Sequence, residues 1–333
     1  MNFVKIYLPA VTSFLFLVIV MRKILRLGSR GSPLALLQAG EVRKKLFQAH
    51  PYLSDEMDVE IVSIRTSGDW RPGDTELSFR ETGGNKELFT KEIEEALLAK
   101  YIDMAVHSMK DVGSYLPAGL KIESVLERGD PRDAFIGSTA RTLDELPQGA
   151  RIGTSSLRRQ AQILARRLDV RIVPMRGNLE TRLEKLKAGQ ADAIILAMAG
   201  LTRLGLGHVA TSVLEPEIML PAAAQGAIGI EIREDDYETQ KIVQTINVPE
   251  TALCVQAERA LLRVLDGSCH TPIGSYARVV SPSVLKLEGL AAYPDGTSLI
   301  KLDSKGALAD AEQIGEQLGM RMKDMLPVNF FAA

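Results

Sequence analysis

A chain of 333 residues with 46% hydrophobic and 25% charged side chains has the composition of a globular protein with ample core, and at roughly 100–200 residues per domain it predicts two or three domains. Forty basic against 42 acidic side chains leave a formal charge of −2, without the basic excess that marks a dedicated nucleic-acid binder. Two cysteines, Cys254 and Cys269, give no disulfide framework and point to a reducing compartment, and four scattered histidines give no metal spacing.

In chain order, Ile6 to Met21 comes first, an uncharged stretch rich in Phe, Leu, Val and Ile. It falls short of the roughly 20 apolar residues of a membrane span. With Lys5 before it, it is similar to the core of a signal peptide. Val18 and Val20 are not the small residues of a cleavage site, and Met21-Arg22-Lys23 leads at once into a strand. The expectation is that Met21 is the true start and residues 1–20 lie upstream of it, with an apolar anchor as the alternative.

Strand and helix signals then alternate. Ile24–Leu27 reads as a strand, Gly28 to Ser32 as a loop, and Pro33 opens a helix to about Gln48, with Ser32 at the N-cap. Met57–Arg65 alternates as a strand, Trp70–Asn85 reads as a mobile loop, Phe89–Lys100 as a helix and Asp103–Met109 as a strand. A second run follows. Strands are predicted at Leu120–Leu126, Ala134–Gly137, Arg151–Gly153, Val170–Val173 and Ala191–Ala197. Helices are predicted from Leu157, behind Ser155 and Ser156, and over Leu179–Ala188. Such alternation predicts parallel sheets covered by helices, in two similar lobes facing a cleft. From about Val248 a smaller α/β unit is expected, with helices at Ala252–Leu265 and about Ala309–Met325, and strands at Ser275–Val280 and Val284–Ala292.

The charged residues fall at element ends. Arg30 precedes one helix, Arg158 and Arg159 occupy the first turn of another, and Arg176, Arg182 and Arg203 follow. Arginine in a first helical turn opposes the partial positive charge there, and an anion at the same place removes the conflict. A ligand bearing several carboxylates or phosphates is therefore implied; surface ion pairs are the plainer reading of any one of these arginines. At the end of a strand stand His107, Ser108, Lys110 and Asp111, where ligands of α/β sheets bind. Lys110 and Asp111 suit chemistry that protonates an amine or steadies a cation, although a local ion pair also explains them. His107 reads as a satisfied buried histidine. Cys269 sits on a Gly-Ser-Cys-His loop, where neighbouring cations favour the reactive thiolate, whereas Cys254 reads as a buried filler. Gly83-Gly84-Asn85-Lys86 lacks the spacing of a phosphate loop, and no Gly-x-Gly-x-x-Gly follows a strand.

Taken together, these stretches are similar to porphobilinogen deaminases (hydroxymethylbilane synthases), from about Lys23 to the C-terminal helix. The resemblance rests on Gly-Ser-Arg-Gly-Ser-Pro-Leu-Ala-Leu (28–36) with Gln38, Gly-Gly-Asn-Lys-Glu-Leu-Phe-Thr-Lys-Glu (83–92), His-Ser-Met-Lys-Asp-Val (107–112) and Glu-Arg-Gly-Asp-Pro-Arg-Asp-Ala-Phe (127–135). It continues through Gly-Thr-Ser-Ser-Leu-Arg-Arg-Gln (153–160), Arg-Gly-Asn (176–178), Pro-Ala-Ala-Ala-Gln-Gly-Ala-Ile-Gly-Ile-Glu (221–231) and Gly-Ser-Cys-His-Thr-Pro-Ile-Gly (267–274). Gly113 stands where the family often has proline, and Ala224 where it often has glycine.

The resemblance implies two α/β lobes like those of periplasmic binding proteins plus a smaller C-terminal α/β domain. The division it suggests is 22–125 with 221–243, then 126–220, then 244–333, after an apolar extension at 1–21. It implies a transferase of porphyrin and haem synthesis that joins four porphobilinogen units, with loss of ammonia, onto a dipyrromethane cofactor held by a thioether at Cys269; water then releases the linear tetrapyrrole. Asp111 and Lys110 are the implied catalytic residues. Arg30, Ser32, Lys86, Asp111, Ser156, Arg158, Arg159 and Arg176 are the implied cofactor contacts. Arg30, Gln38, Phe89, Arg176, Arg182 and Arg203 are the implied substrate contacts, and the 70–85 loop covers the site. Asp111 either donates a proton or stabilises the pyrrole cation; the second needs only an ordinary carboxylate, with a pKa of ~3.9. A cytoplasmic monomer without metal, nucleic-acid partner or stable membrane association is expected, the apolar extension leaving a tether open. Two other classes remain as alternatives: a non-catalytic solute-binding protein, and a polyanion binder with steep salt dependence.

Overall fold

The computed structural model describes residues 23–51, 57–67, 89–267, 271–327 and 330. The apolar N-terminal stretch, the 70–85 loop, Lys86, Cys269 and His270 lie outside the described residues. Two five-stranded sheets of one plan carry the first two thirds of the chain. The first contains β1 (Lys23–Arg30), β2 (Met57–Ile64), β3 (Met104–Ser108), β4 (Leu120–Val125) and β10 (Ile228–Arg233), in the order β2-β1-β3-β10-β4. The second contains β5 (Asp133–Gly137), β6 (Arg151–Gly153), β7 (Arg171–Val173), β8 (Ala193–Ala197) and β9 (Ser212–Leu214), in the order β7-β6-β8-β5-β9.

The sheets are mixed, which corrects the parallel expectation. β1 pairs in parallel with β2 and β3, but β10 runs antiparallel to β3 and β4. In the second sheet β6 is parallel to β7 and β8, while β5 is antiparallel to β8 and β9. Connectivity is the reason. β5 and β10 are the strands that enter a lobe directly from the other lobe, so no crossover helix brings them in parallel. The two crossing segments run side by side: the Gly129 N–H donates to the Gly226 carbonyl at 3.1 Å. Gly226 has φ +90, and a Cβ there would meet the Gly129 carbonyl oxygen at 2.5 Å, so glycine is required.

Helices cover both faces of the first sheet. α1 (Pro33–Ala49) starts where expected, with the Ser32 hydroxyl accepting the Ala35 N–H at 3.3 Å. Its Ala39, Val42 and Leu46 pack on Leu27, Val106, Ile228 and Ile230, each large side chain contributing about 1.5–3 kcal/mol by burial. α2 (Lys91–Leu98) places Ile93 and Leu97 on Ile102, Ala105 and Leu120. It is shorter than the predicted Phe89–Lys100, and Lys100 has left-handed φ 59 just beyond its end. In the second lobe β5 alternates across the sheet: Phe135 joins Ile152, Ile163 and Ile195, while Ala134 and Ile136 join Ile194 and Leu196. The helices here are α3 (Leu157–Arg166), α4 (Leu179–Lys187) and α5 (Met198–Arg203), and α6 (Tyr237–Val243) follows β10.

The C-terminal unit is an antiparallel meander, β11 (Ile273–Ser281), β12 (Val284–Ala292) and β13 (Leu299–Ala307), packed against α7 (Pro249–Val264) and α8 (Ala311–Met325). It touches the second lobe, where the Gln160 amide donates to the Pro294 carbonyl at 3.0 Å and Lys301 to the Pro216 carbonyl at 3.3 Å. Buried Glu258 on α7 reaches both crossings: it pairs with Arg128 at 2.6 Å and accepts the backbone N–H groups of Ala224 and Ala277. Among the described residues, no helix is long and apolar enough to cross a membrane.

Candidate active site

Four helices point their N-termini into one cavity of about 770 Å³ between the lobes. They are α1, α3, α4 and α5, capped or preceded by Ser32, Ser156, Asn178 and Ala197. The Ser156 hydroxyl accepts the Arg159 N–H at 3.5 Å, and the Asn178 side-chain Oδ1 accepts the Thr181 N–H at 2.8 Å. The first turns of α1, α3 and α5 hold no acidic residue, so the partial positive charge of these ends is left to an anion.

The sequence-predicted residues converge there. Arg30, Ser32, Gln38, Phe89, Lys110 and Asp111 line the cavity from the first lobe. Ser156, Arg158, Arg159, Arg176, Arg182 and Arg203 line it from the second. The Arg30 guanidinium stacks over the Phe89 ring, 4.4 Å from its centroid. The Gln38 amide donates to the Ser108 hydroxyl at 2.8 Å, beside Asp111. Lys110 and Asp111 belong to a single 3-10 turn, Met109–Asp111, directly after β3. Burial pushes the Lys110 ammonium below its ordinary value, and the Arg159 and Arg182 charges add to this; Asp111 and Asp133 oppose it. Arg182 is moved down to about 10, first by burial and then by the Arg159 charge, with Asp111 opposing. Arg182 stays protonated at neutral pH.

Arg158 and Arg159 are not surface arginines. Both are buried, and they share Asp133, which is fully enclosed. Asp133 lies 2.8 Å from Arg158 Nη2 and 2.7 Å from Arg159 Nη2, and it accepts the Gln225 amide at 2.9 Å. Their Nη1 groups donate to the Leu220 and Ile195 carbonyls respectively. Burial alone would raise the Asp133 pKa, but the two guanidiniums outweigh it and hold the carboxyl well below the usual range. The Nε atoms of Arg158 and Arg159 are buried without a hydrogen-bond partner. Both residues line the cavity, so the two buried donors stand among the groups that give it positive charge.

Sequence reasoning missed Asp133 and Gln225. Asp133 was within reach: it is an acid immediately before the apolar run Ala134-Phe135-Ile136, and a charge that enters a core strand needs a buried partner. His107 is buried and paired with Glu231 at 2.8 Å, and Cys254 is buried in the C-terminal core, its thiol pushed up to about 11 by burial. Cys269 lies outside the described residues, but its neighbours in sequence, Thr271 and Ile273, line the cavity together with Leu262.

The comparisons with known proteins cover the whole arrangement. Residues 25–241 match the family profile "Porphobilinogen deaminase, dipyromethane cofactor binding domain", and residues 252–324 match "Porphobilinogen deaminase, C-terminal domain". The chain is 49% identical over 307 residues to a porphobilinogen deaminase of Paracoccus denitrificans, covering 92% of this chain and 96% of that relative. It is 46% identical over 302 residues to one of Syntrophobacter fumaroxidans, covering 91% and 95%. A solved methionine-binding protein overlaps 67% of this chain and 89% of its own length at 15% identity, with a TM-score of 0.42, a likeness too slight to argue from. The family match runs through the C-terminal unit. The chain belongs to the porphobilinogen deaminase family.

Proposed function

We propose that this chain performs the family's transferase reaction with Asp111 as its central catalytic residue and Cys269 as the attachment point of dipyrromethane. The observation that carries this reading is the convergence of four helix N-termini and seven arginines, Arg65 among them, on one cavity with a carboxylate–lysine turn at its side. Porphobilinogen bears an acetate and a propionate on each ring, so a growing chain of such rings is a polyanion. Positive helix ends and guanidinium forks match it.

The cofactor fits the residues present. Arg30, Arg158, Arg159 and Arg176 line a cavity into which helix starts without acidic residues point, a match for the carboxylates of dipyrromethane, and the chain on both sides of residues 268–270 borders the cavity. Arg158, Arg159, Ser156 and Arg30 would hold the acidic side chains of dipyrromethane, with Ser32, Arg176 and Lys86 in support. When bound, dipyrromethane supplies the primer to which substrate units are joined.

The chain's own residues divide the remaining tasks. Arg176, Arg182 and Arg203 orient the carboxylates of the incoming unit, while Gln38 and Phe89 shape its pocket. Loss of ammonia needs a proton on the departing amine and leaves positive charge on the pyrrole. The Asp111 carboxylate accepts the pyrrole N–H and stabilises that charge. Lys110, with its pKa lowered by burial, exchanges a proton more readily where the amine leaves.

The division 22–125 with 221–243, 126–220 and 244–333 is supported by each sheet drawing all its strands from one of these sets. On the resemblance to the family, we further infer a cytoplasmic monomer without stable membrane association.

Intact mass of the purified native protein tests the core of this reading. It should exceed the chain by one dipyrromethane. Cys269→Ala should lose that excess and all turnover while Cys254→Ala keeps both. A retained mass excess in Cys269→Ala overturns the assignment.

A further inference from the structure

The segment after Asp111 is fastened to the C-terminal unit as well as to its own lobe. Arg259, on α7, is 8% exposed. Its guanidinium donates from Nη1 to the Val112 carbonyl at 3.2 Å and from Nη2 to the Gly113 carbonyl at 2.7 Å. Val112 is the residue whose N–H closes the turn of Lys110 and Asp111 onto the Met109 carbonyl. One residue beyond Gly113, the Ser114 hydroxyl donates to the Gly267 carbonyl at 2.7 Å, and Gly267 stands two residues before Cys269.

Neither of these Arg259 contacts is a carboxylate, so the buried charge is matched by two carbonyl dipoles. Burial and the Arg263 charge lower Arg259 to about 10, with Glu231 opposing, so it is cationic at neutral pH. Glu231 is committed to His107 on the same β3 strand that leads into the turn. A cation kept here at the cost of its hydration fixes a backbone position that an apolar side chain of the same volume would leave loose.

We propose that Arg259 is a positioning residue for Asp111, and that with Ser114 it registers the catalytic turn to the helix that leads to Cys269. The inference rests on the reading of Asp111 given above. The arginines assigned to substrate carboxylates lie elsewhere, on the second lobe and on β1. Loss of the brace therefore strikes the chemical step and spares substrate affinity.

The test uses the full-length holoenzyme, with porphobilinogen consumption as the rate. Arg259→Gln should lower kcat by about tenfold to hundredfold, the effect of a small misplacement of a reacting group, with KM nearly unchanged and the covalent mass intact. Arg259→Lys, able to reach one carbonyl, should recover part of the loss. Leu318→Ala, which empties part of the C-terminal core, should lower Tm without lowering kcat, separating lost stability from lost position. Combined with Asp111→Glu, Arg259→Gln should add little further loss, as coupled positions do. Parent kcat in Arg259→Gln overturns the proposal. Fold-losses that multiply in the double variant remove the brace alone, whereas a parent rate in Asp111→Glu removes the Asp111 reading and the brace with it. If Arg259→Gln does not fold, Arg259→Lys and Ser114→Ala carry the same cycle.

Discussion

The first lobe offers Lys110 and Asp111 on one tight turn, whereas the second offers Arg158, Arg159, Arg176, Arg182 and Arg203 across three helices and a loop. The two sheets share one pairing plan, with the strand that enters from the other lobe in the fourth place of each, so this difference comes from side chains and not from the layout of the sheets. Each lobe solves a different electrostatic problem. A polyanion site needs many cations close together, and cations close together repel. The second lobe answers with an internal counter-ion, Asp133, enclosed between two guanidiniums. The first lobe sets the Asp111 carboxylate at the cavity, beside a half-buried Lys110.

Removing the counter-ion should break the second lobe first. Asp133→Asn leaves two buried guanidiniums short of charge, which should cost about 3–5 kcal/mol of stability together with cofactor retention. The pH dependence has a definite sign. The folded Asp133 pKa is depressed, so its stabilisation is present above the unfolded value of ~3.9 and is lost as pH falls through the folded one. Thermal unfolding followed from neutral into acid should fall steeply in the parent and more gently in Asp133→Asn. A parent-like stability in the variant would show that the two arginines need no counter-ion.

Asp111→Asn strikes the other lobe and should leave Tm unchanged while lowering turnover by about 10²–10³. Asp111→Glu keeps the charge one methylene away and should retain a small residual rate. If Asp111→Asn instead turns over near the parent rate, the pair with Lys110 is structural and the division of labour between lobes fails. Arg176→Leu sharpens the contrast from the binding side. A charged hydrogen bond to a carboxylate is worth about 1.5–3 kcal/mol, and this loss should appear in chain growth with little change in melting. Arg176→Lys should restore only part, because lysine lacks the planar fork.

The smallest effect concerns the joint between the lobes. Ala224 holds φ 58 and is fully buried, a left-handed conformation that disfavours a Cβ. Ala224→Gly should raise stability by up to about 1 kcal/mol, measurable in Tm, with turnover unchanged. A lowered Tm would mean that the methyl packing outweighs the backbone strain.

The helix starts were legible because they are written locally. Ser32-Pro33 and Ser156 carry their caps in sequence, and the alternation of strand and helix named two lobes. Ile228–Arg233 was not legible as an inner strand of the first sheet, since six buried residues give no period that separates strand from helix. Nor was its direction legible, because that depends on which lobe the chain has just left. Among the site residues, arginines at helix N-termini announced an anion through a local conflict of charge. Asp133 was announced only by its place before an apolar run, and Gln225 and Arg259 announced nothing, since each acts on a partner at least 92 residues away in sequence.

The placement of β10 also governs how the chain can be made. It lies between β3 and β4, yet it is synthesised after the whole second lobe. A chain emerging from the ribosome therefore holds two halves of an unfinished sheet, with the facing edges of β3 and β4 unpaired, until residue 233 is out. The second lobe, contiguous from β5 to β9, can complete its own sheet earlier. Fold completion then proceeds from the middle of the chain outward, and the Lys110–Asp111 turn after β3 acquires its neighbour strand only on the return crossing. The long-range pairing slows that closure and leaves two unpaired edges to be shielded during synthesis.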